Sequence, residues 1–592
     1  MKLTVGQALV KFLSRQYSVH DGERQRLIPA TLGIFGHGNV AGLGQALDQY
    51  QSEMPFIQGR NEQSLVHLAS AFARAQRRRA TLAVTSSIGP GATNMITGAA
   101  TATINRIPVL LLPSDAYATR LQGAVLQQLE FPLAGDVTVN DCFRPVARYF
   151  DRILLPEQLL SALPEAMRVL TNPAETGSVV IALPQDVQSK SFDFPDIFFD
   201  EHDWEIGRVV PREIEVEAAV RALERSERPL ILAGGGVIYS DASSELAVLA
   251  ESLGIPVAET FAGKGAVEKV AWWGVGGIGV EGNPAANALA READLVLCVG
   301  TRLTDFATAS RSLFSPGVQF VSVNICDKDA RKEGAVRLVA DAKLALAALE
   351  QQAGRAGLKP NPTWRDRCEE VKSAWQVTRS NVLRAPEDGL LTQGQLIGIL
   401  QEQAETGDTI VAAAGGPVGD LLKAWDATGG RRCHLEFGFS CMGYELPGAL
   451  GVRMAQPDGA VVALIGDGTF VMQPSEIATA LQENLQVTLV ISQNQGYQVI
   501  RRLQLDRVGR HYGNEFRHRD GQLGTGALTG GYLELDLVAV ANGLGAHACL
   551  AKSAAEVRNA LGDARQRQGP SVVVVPVDPY ANLPPSEVWW DV

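Results

Sequence analysis

The sequence predicts an α/β protein of three consecutive doubly wound domains with mainly parallel sheets. Three observations carry this. Short β-branched runs alternate with helical patterns, the rhythm of a parallel sheet covered by helices. That rhythm restarts twice, once after a polar, Pro-bearing link and once after a charged helical connector. A chain of 592 residues is also too long for one hydrophobic core, and at ~150 residues per domain it implies about three or four.

Taken in order, "MKLTVGQALVKFLSRQ" has apolar residues at helical spacing, and Lys11 interrupts it, so it lacks the unbroken core of a signal peptide. The first block, 1–190, holds the strand-then-loop units "LGIFGHGNV", "TLAVTSSIGPGATN" and "IPVLLLPSD" and closes on "GSVVIALPQDV". The link "SFDFPDIFFDEHDWEIGRVVPR" leads to a second block, 205–350, with strands "RPLILAGGG", "IPVAET", "ADLVLCVGT" and "VQFVSVNI". A helical connector bearing Trp364 and Trp375 precedes the third block, 385–592, with "DTIVAAAGG", "GAVVALIGDG", "VTLVISQNQG" and "PSVVVVPVD". No short-period repeat is present, which excludes a solenoid.

Composition excludes several classes. A formal net charge of −12 argues against a nucleic-acid partner, and the one dense basic cluster, "RRR" at 77–79, reads as the solvated end of a helix. No stretch reaches the ~18 apolar residues of a membrane span. The seven cysteines form no CxxC pair, against a zinc site or disulfide framework, and the cytoplasm is the expected compartment. Neither a strand-linked GxGxxG with a downstream acid nor GxxxxGK[ST] occurs, against a dehydrogenase or P-loop enzyme.

The chemistry starts at "VVALIGDGTF", where a buried strand ends by presenting Asp467 between Gly466 and Gly468. A helical segment, "PSEIATALQEN", and a second apolar strand, "VTLVIS", follow, the latter ending at Gln493-Asn494-Gln495-Gly496. If these strands are parallel neighbours, ~4.8 Å apart, Asp467 and Asn494 converge just outside the sheet edge, where ligands of open α/β sheets bind. A carboxylate, an amide oxygen and a loop carbonyl form a hard-oxygen set suited to Mg²⁺, with Mn²⁺ accepting a similar shell, and such an ion shares its shell with phosphates. The flanking glycines let backbone approach a phosphate, and the helix after Gly468 can aim N–H groups at it. Alone, Gly-Asp-Gly also fits a tight turn; the pairing with Asn-x-Gly makes the signal.

Gly466-Asp467-Gly468 followed by Asn494 and Gly496 resembles the signature of thiamine-diphosphate enzymes, with Gln493 where the family often doubles the Asn. The resemblance runs over nearly the whole chain and implies a pyrimidine-binding domain, a central Rossmann-like domain and a diphosphate-binding domain in the three blocks. It implies thiamine diphosphate and Mg²⁺ as cofactors, with Asp467, Asn494 and the Gly496 carbonyl on the metal and Thr469 and Tyr497 beside the cofactor. Glu62 in "QGRNEQSLVHLA" would hydrogen-bond N1′ of the aminopyrimidine, which favours the imino tautomer needed to activate the thiazolium. Read without the resemblance, Glu62 is an acid in the first turn of a helix after Asn61. In "FSCMGYELPGALG", Met442 would hold the cofactor bent and the Ser440 carbonyl would meet the 4′-amino group, at a position where relatives often carry Gly. Gly415, Gly416 and Gly419 in "AAAGGPVGDL" would form the diphosphate loop. A homodimer is implied as the minimum unit, or a homotetramer, with each site at a subunit interface.

Within the family, "FGHGNVAGLGQAL", "AYATRLQGAVLQQLE" and "HLEFGFSCMGYE" resemble a ring-opening branch of myo-inositol catabolism. This implies hydrolytic C–C cleavage of a polyhydroxylated cyclic 1,2-diketone. His37 and Asn39 in the first loop, then Gln127 and Gln128, are the catalytic candidates, His37 activating water or shuttling a proton. Tyr497, Arg501 and Arg502 lie just past the metal loop. The rival readings are a carboligase resembling acetohydroxyacid synthase, acting on 2-oxo acids, and a non-catalytic cofactor-binding subunit.

Overall fold

The computed structural model describes residues 1–129, 131, 133–386, 389–522 and 525–591. It contains three six-stranded sheets, each parallel throughout. Their strands read as near-continuous apolar runs because helices cover both faces: Val109–Asp115 and Ser178–Pro184 are buried at every position. The fold is therefore the three-domain α/β arrangement that the alternating pattern predicts.

Strand order differs between the sheets. In the first, Phe56–Gln58, Thr31–Gly33, Ala83–Ser86, Val109–Asp115, Ser178–Pro184 and Tyr149–Arg152 lie side by side, a 2-1-3-4-6-5 order. The third repeats that order with Arg432–Leu435, Thr409–Ala412, Val461–Gly466, Thr488–Gln493, Ser571–Pro576 and His547–Leu550. The middle sheet, built on Pro229–Ala233, has the order 3-2-1-4-5-6. In the outer two sheets the connections reverse direction between the first and third strands, and ligands of such sheets bind beyond the carboxyl ends at that reversal. In the third sheet the reversal lies between Thr409–Ala412 and Val461–Gly466, the strands that lead into Gly415 and Asp467.

The chain divides into two compact units: Met1–Gly207 with Leu446–Pro457 and Gln473–Leu485, and Arg208–Glu445 with Asp458–Met472 and Gln486–Val592. In the first, helix Glu62–Ala75 and the 446–457 segment approach so closely that a side chain at Gly451 would meet the Leu68 carbonyl at 2.1 Å. The basic run at 77–79 is more than a solvated helix end. Arg77 and Arg78 lie just beyond that helix with φ of 54° and 64°, and Arg78 donates to the Arg106 and Pro173 carbonyls (3.3 and 3.2 Å), tying down the turn. In the second unit, helix Pro362–Leu383 buries Trp364 and Trp375. Among the described residues no helix is long and apolar enough to cross a membrane.

Candidate active site

In the second unit the register pairs Gly466 with Ser492, so the tips carrying Asp467 and Asn494 are neighbours. Asp467 is buried, and three backbone N–H groups donate to its carboxylate: Gly468 (2.7 Å), Gln495 (2.6 Å) and Gly496 (3.3 Å). Burial pushes its carboxyl up to about 6 against the pull of those donors. One end of the Asn494 amide lies 2.9 Å from the Gly496 carbonyl oxygen and 3.3 Å from Asp467 Oδ1. With its oxygen at that end, the amide lies from each of the other two oxygens at a separation close to the ~3.0 Å between adjacent ligands of an octahedral ion with ~2.1 Å bonds. Turned over, the amide would hydrogen-bond both partners and close the site on itself. The donor set thus fits a hard divalent cation. No group of three or more His, Cys, Asp or Glu that could hold a metal occurs among the described residues.

The surrounding glycines have distinct reasons. A side chain at Gly466 would meet nothing within 4 Å, so space lies open at this strand tip. One at Gly468 would strike the Tyr497 ring at 2.6 Å, and one at Gly496, with φ of 134°, the Asn514 carbonyl at 2.3 Å. Gly415 sits at φ 75° and ψ −157°, a conformation essentially restricted to glycine, and caps helix Gly416–Ala424. The free N–H groups at this helix start belong to Gly415, Gly416 and Val418; Gly419 is the first residue whose N–H falls within the helical ladder. Gly419 therefore does not offer its amide to a phosphate. It is small because a side chain there would meet Glu281 Cγ at 2.8 Å. Ser440 occupies the left-handed region at φ 53°, a backbone conformation that favours glycine. Met442 is half-buried beside it and Thr469 is buried in the helix opened by Asp467. Arg501 stacks on Tyr580, its Cζ 4.4 Å from the ring centroid, and Arg502 reaches Asn582 and Glu281.

In the first unit Glu62 opens helix Glu62–Ala75, capped by Asn61. Asn94 Nδ2 donates to Glu62 Oε2 (2.8 Å), and a side chain at Gly91 would come within 2.9 Å of Oε1. Gln127, exposed at φ 63°, sets its carbonyl where a side chain at Gly89 would lie, 1.9 Å away. The "GPGATN" segment is thus a common wall for Glu62 and Gln127. Both amide atoms of Gln128 are buried without a hydrogen-bond partner. His37 is exposed on the first loop, its carbonyl accepting from Gln185 Nε2 (2.7 Å). Asn39, in contrast, is 1% exposed and spends its amide inside that loop, accepting from Gly36 N and donating to Thr85 Oγ1. It builds the His37 loop and presents nothing to a ligand.

Four supporting residues escaped the sequence reading. Asn94 orients Glu62. Glu476, fully buried, accepts from the backbone N–H of Arg60 (3.1 Å), fixing the approach to Glu62. Gln393 accepts from Ser492 Oγ (3.0 Å) and donates to Asp420 on the helix capped by Gly415, tying the strand that leads to Asn494 to that helix. Glu445, fully buried, accepts from Ala414 N (3.0 Å), and its Oε2 has no partner. Each acts across a long sequence separation; the capping-type spacing "NEQS" and the motif "GPGATN" were the only local signals.

Glu445 makes a stability prediction. Burial pushes its carboxyl from 4.5 up to about 7. Between those values the native state holds a proton that the unfolded chain releases, so stability falls as pH rises through the window, by roughly 3 kcal/mol in all. Glu445→Gln keeps the acceptor for Ala414 and removes the ionisation. Its thermal midpoint should exceed that of the wild type at pH 8, with the gap closing by pH 5; a pH-independent gap would contradict this account.

Comparison with known families matches three stretches: thiamine pyrophosphate enzyme, N-terminal TPP binding domain at residues 32–132, central domain at 216–349 and C-terminal TPP binding domain at 414–575. Proteins called 3D-(3,5/4)-trihydroxycyclohexane-1,2-dione hydrolase are similar along the whole chain. The one from Clostridium perfringens is 40% identical over 616 residues, covering 100% of this chain and 96% of that protein. Those from Bacillus cereus and Bacillus anthracis are 42% identical over 617 residues, covering 100% of this chain and 95% of theirs. With oxygen donors gathered at a sheet reversal, a glycine-capped helix beside them and similarity from end to end, the chain belongs to the 3D-(3,5/4)-trihydroxycyclohexane-1,2-dione hydrolase family of thiamine pyrophosphate enzymes.

Proposed function

We propose that this protein hydrolyses the C–C bond between the two carbonyls of 3D-(3,5/4)-trihydroxycyclohexane-1,2-dione, opening the ring to 5-deoxy-glucuronate in myo-inositol catabolism. Water is consumed: one carbonyl carbon becomes the carboxylate and the other the aldehyde. The observation that carries the reading is full-length identity of 40–42% to relatives bearing that hydrolase name. Bound thiamine diphosphate supplies the electron sink for the broken bond.

The residues divide the work as follows. Asp467, Asn494 and the Gly496 carbonyl hold Mg²⁺, and the N–H groups of Gly415 and Gly416 face the diphosphate. Glu62 bonds the aminopyrimidine N1′, with Met442 and the Ser440 carbonyl against the same cofactor. His37 activates the water or shuttles a proton. The unpartnered Gln128 amide is the group a ring hydroxyl would satisfy, with Gln127 beside it. The pyrimidine, central and diphosphate domains span 1–190, 205–350 and 385–592, and a cytoplasmic homodimer or homotetramer is the working form.

The test strips the purified protein of cofactor and resupplies it. Dione opening should require both thiamine diphosphate and Mg²⁺. Acetolactate formed from pyruvate without dione turnover would overturn this in favour of a carboligase, which the full-length relatives do not favour.

A further inference from the structure

A cavity of ≈ 140 Å³ in the second unit lies apart from the Asp467 site, between the loop 264–276, helix Pro362–Leu383 and the carboxyl end of helix Gly416–Ala424. Its wall carries five cations, Lys264, Lys269, Lys372, Arg379 and Lys423, and two acids, Glu259 and Asp426, in a chain of net charge −12. Some of these charges are already matched. Lys264 pairs with Glu259 (3.4 Å) and Lys423 with Glu281 (3.7 Å). Asp426 accepts from Thr428 N (2.9 Å) and lies 3.7 Å from Arg431.

Lys372 and Arg379 hydrogen-bond only to carbonyls and share the field of one acid, Asp426, which Arg431 already approaches. Lys372 donates to the Ala271 and Trp272 carbonyls, and burial lowers its pKa in spite of the attraction of Asp426 and Glu369. Arg379 Nε donates to the Ala424 carbonyl (2.6 Å), and its Nη2 is buried with no partner. The bland account is that these cations cap the carboxyl end of the Gly416–Ala424 helix. That end is worth only about half an elementary charge, and with Asp426 divided among Lys372, Arg379 and Arg431 the wall keeps an excess of positive charge.

We propose that this cavity binds a small oxyanion, a phosphate or a carboxylate, on the Arg379 guanidinium and the Lys372 ammonium. A planar fork with an unused N–H suits an anion presenting two oxygens, and a neighbouring ammonium adds a point charge. The cavity sits at the opposite end of the helix whose amino terminus carries Gly415 and Gly416, so the two anion sites are separate.

The experiment uses the holoenzyme with thiamine diphosphate and Mg²⁺ saturating, so that the diphosphate site is filled; loading is verified by a separate cofactor titration, whose failure would concern the proposed function alone. Inorganic phosphate and malonate are then titrated at constant ionic strength, followed by calorimetry and by the fluorescence of Trp375 and Trp425, which line the cavity. Saturable binding of at least one anion is expected, weakened tenfold or more in Arg379→Ala and in Lys372→Ala and less in Arg379→Lys. Whichever anion binds more tightly identifies the ligand class. Equal affinity in the wild type and both alanine variants, the same response to chloride, or no saturation by either anion would overturn the proposal.

Discussion

Asp467→Ala should reduce thiamine diphosphate affinity by more than about 100-fold and make what remains insensitive to Mg²⁺. The direction follows from charge. Without a cation, the Asp467 carboxylate repels a diphosphate; at ~4 Å and an effective dielectric of ~20 each pair of unit charges is worth roughly 4 kcal/mol. With a divalent ion between them the same carboxylate becomes an attraction. Changes in groups that merely orient ligands cost 10–100-fold in metal affinity, so a direct charged ligand should exceed that range. Asparagine is a poorer test, because Gly468, Gln495 and Gly496 all donate to this carboxylate and an amide NH₂ would confront one of those N–H groups. Asn494→Ala is the informative companion. It removes one neutral oxygen, so affinity should fall by about 10–100-fold and recover when Mg²⁺ is raised. Calorimetric titration of cofactor across a range of Mg²⁺ distinguishes the two variants; unchanged Mg²⁺ dependence in Asp467→Ala would remove the metal assignment.

The strands that were legible in the sequence share a physical property. All four interior strands of each sheet, such as Val461–Gly466 and Thr488–Gln493, are covered on both faces and so read as apolar runs. The edge strands Tyr149–Arg152, Gly274–Gly277, Val336–Leu338, Arg432–Leu435 and His547–Leu550 pair on one side only and carry sequences such as "YFDR" and "GVGG" that no pattern distinguishes from loop. The site divides in the same way. Asp467 and Asn494 sit at the tips of neighbouring interior strands, so one pairing assumption brings them together. Glu445, Gln393 and Glu476 hold backbone or side chains up to 416 positions away, a relation that no local spacing encodes. Asn39 and Gly419 show the converse: polar or flexible residues expected to meet a ligand, whose bonds and packing serve their own loop and helix.

Glu62→Gln should lower turnover by about 10²- to 10⁴-fold, the usual contribution of a positioned proton-transfer group, while leaving the fold intact. The geometry makes this substitution clean. Glu62 Oε2 accepts from Asn94 Nδ2, a bond the glutamine oxygen can keep, and Asn61 caps the helix through its own side chain, independent of residue 62. If Glu62 served only as an acid at a helix amino terminus, its loss would cost about 0.3–1 kcal/mol of stability and nothing in turnover. The two accounts therefore differ by orders of magnitude in one measurement. Two further variants separate orientation from chemistry. Asn94→Ala frees the carboxylate to rotate without removing it, so its loss in turnover should be smaller than that of Glu62→Gln. Gly91→Ala places a carbon 2.9 Å from Oε1 and forces the carboxylate aside, so it should fall between the others. A series in which Asn94→Ala costs more than Glu62→Gln would mean that Asn94 works on something other than Glu62, and that the carboxylate is not the group performing the proton chemistry.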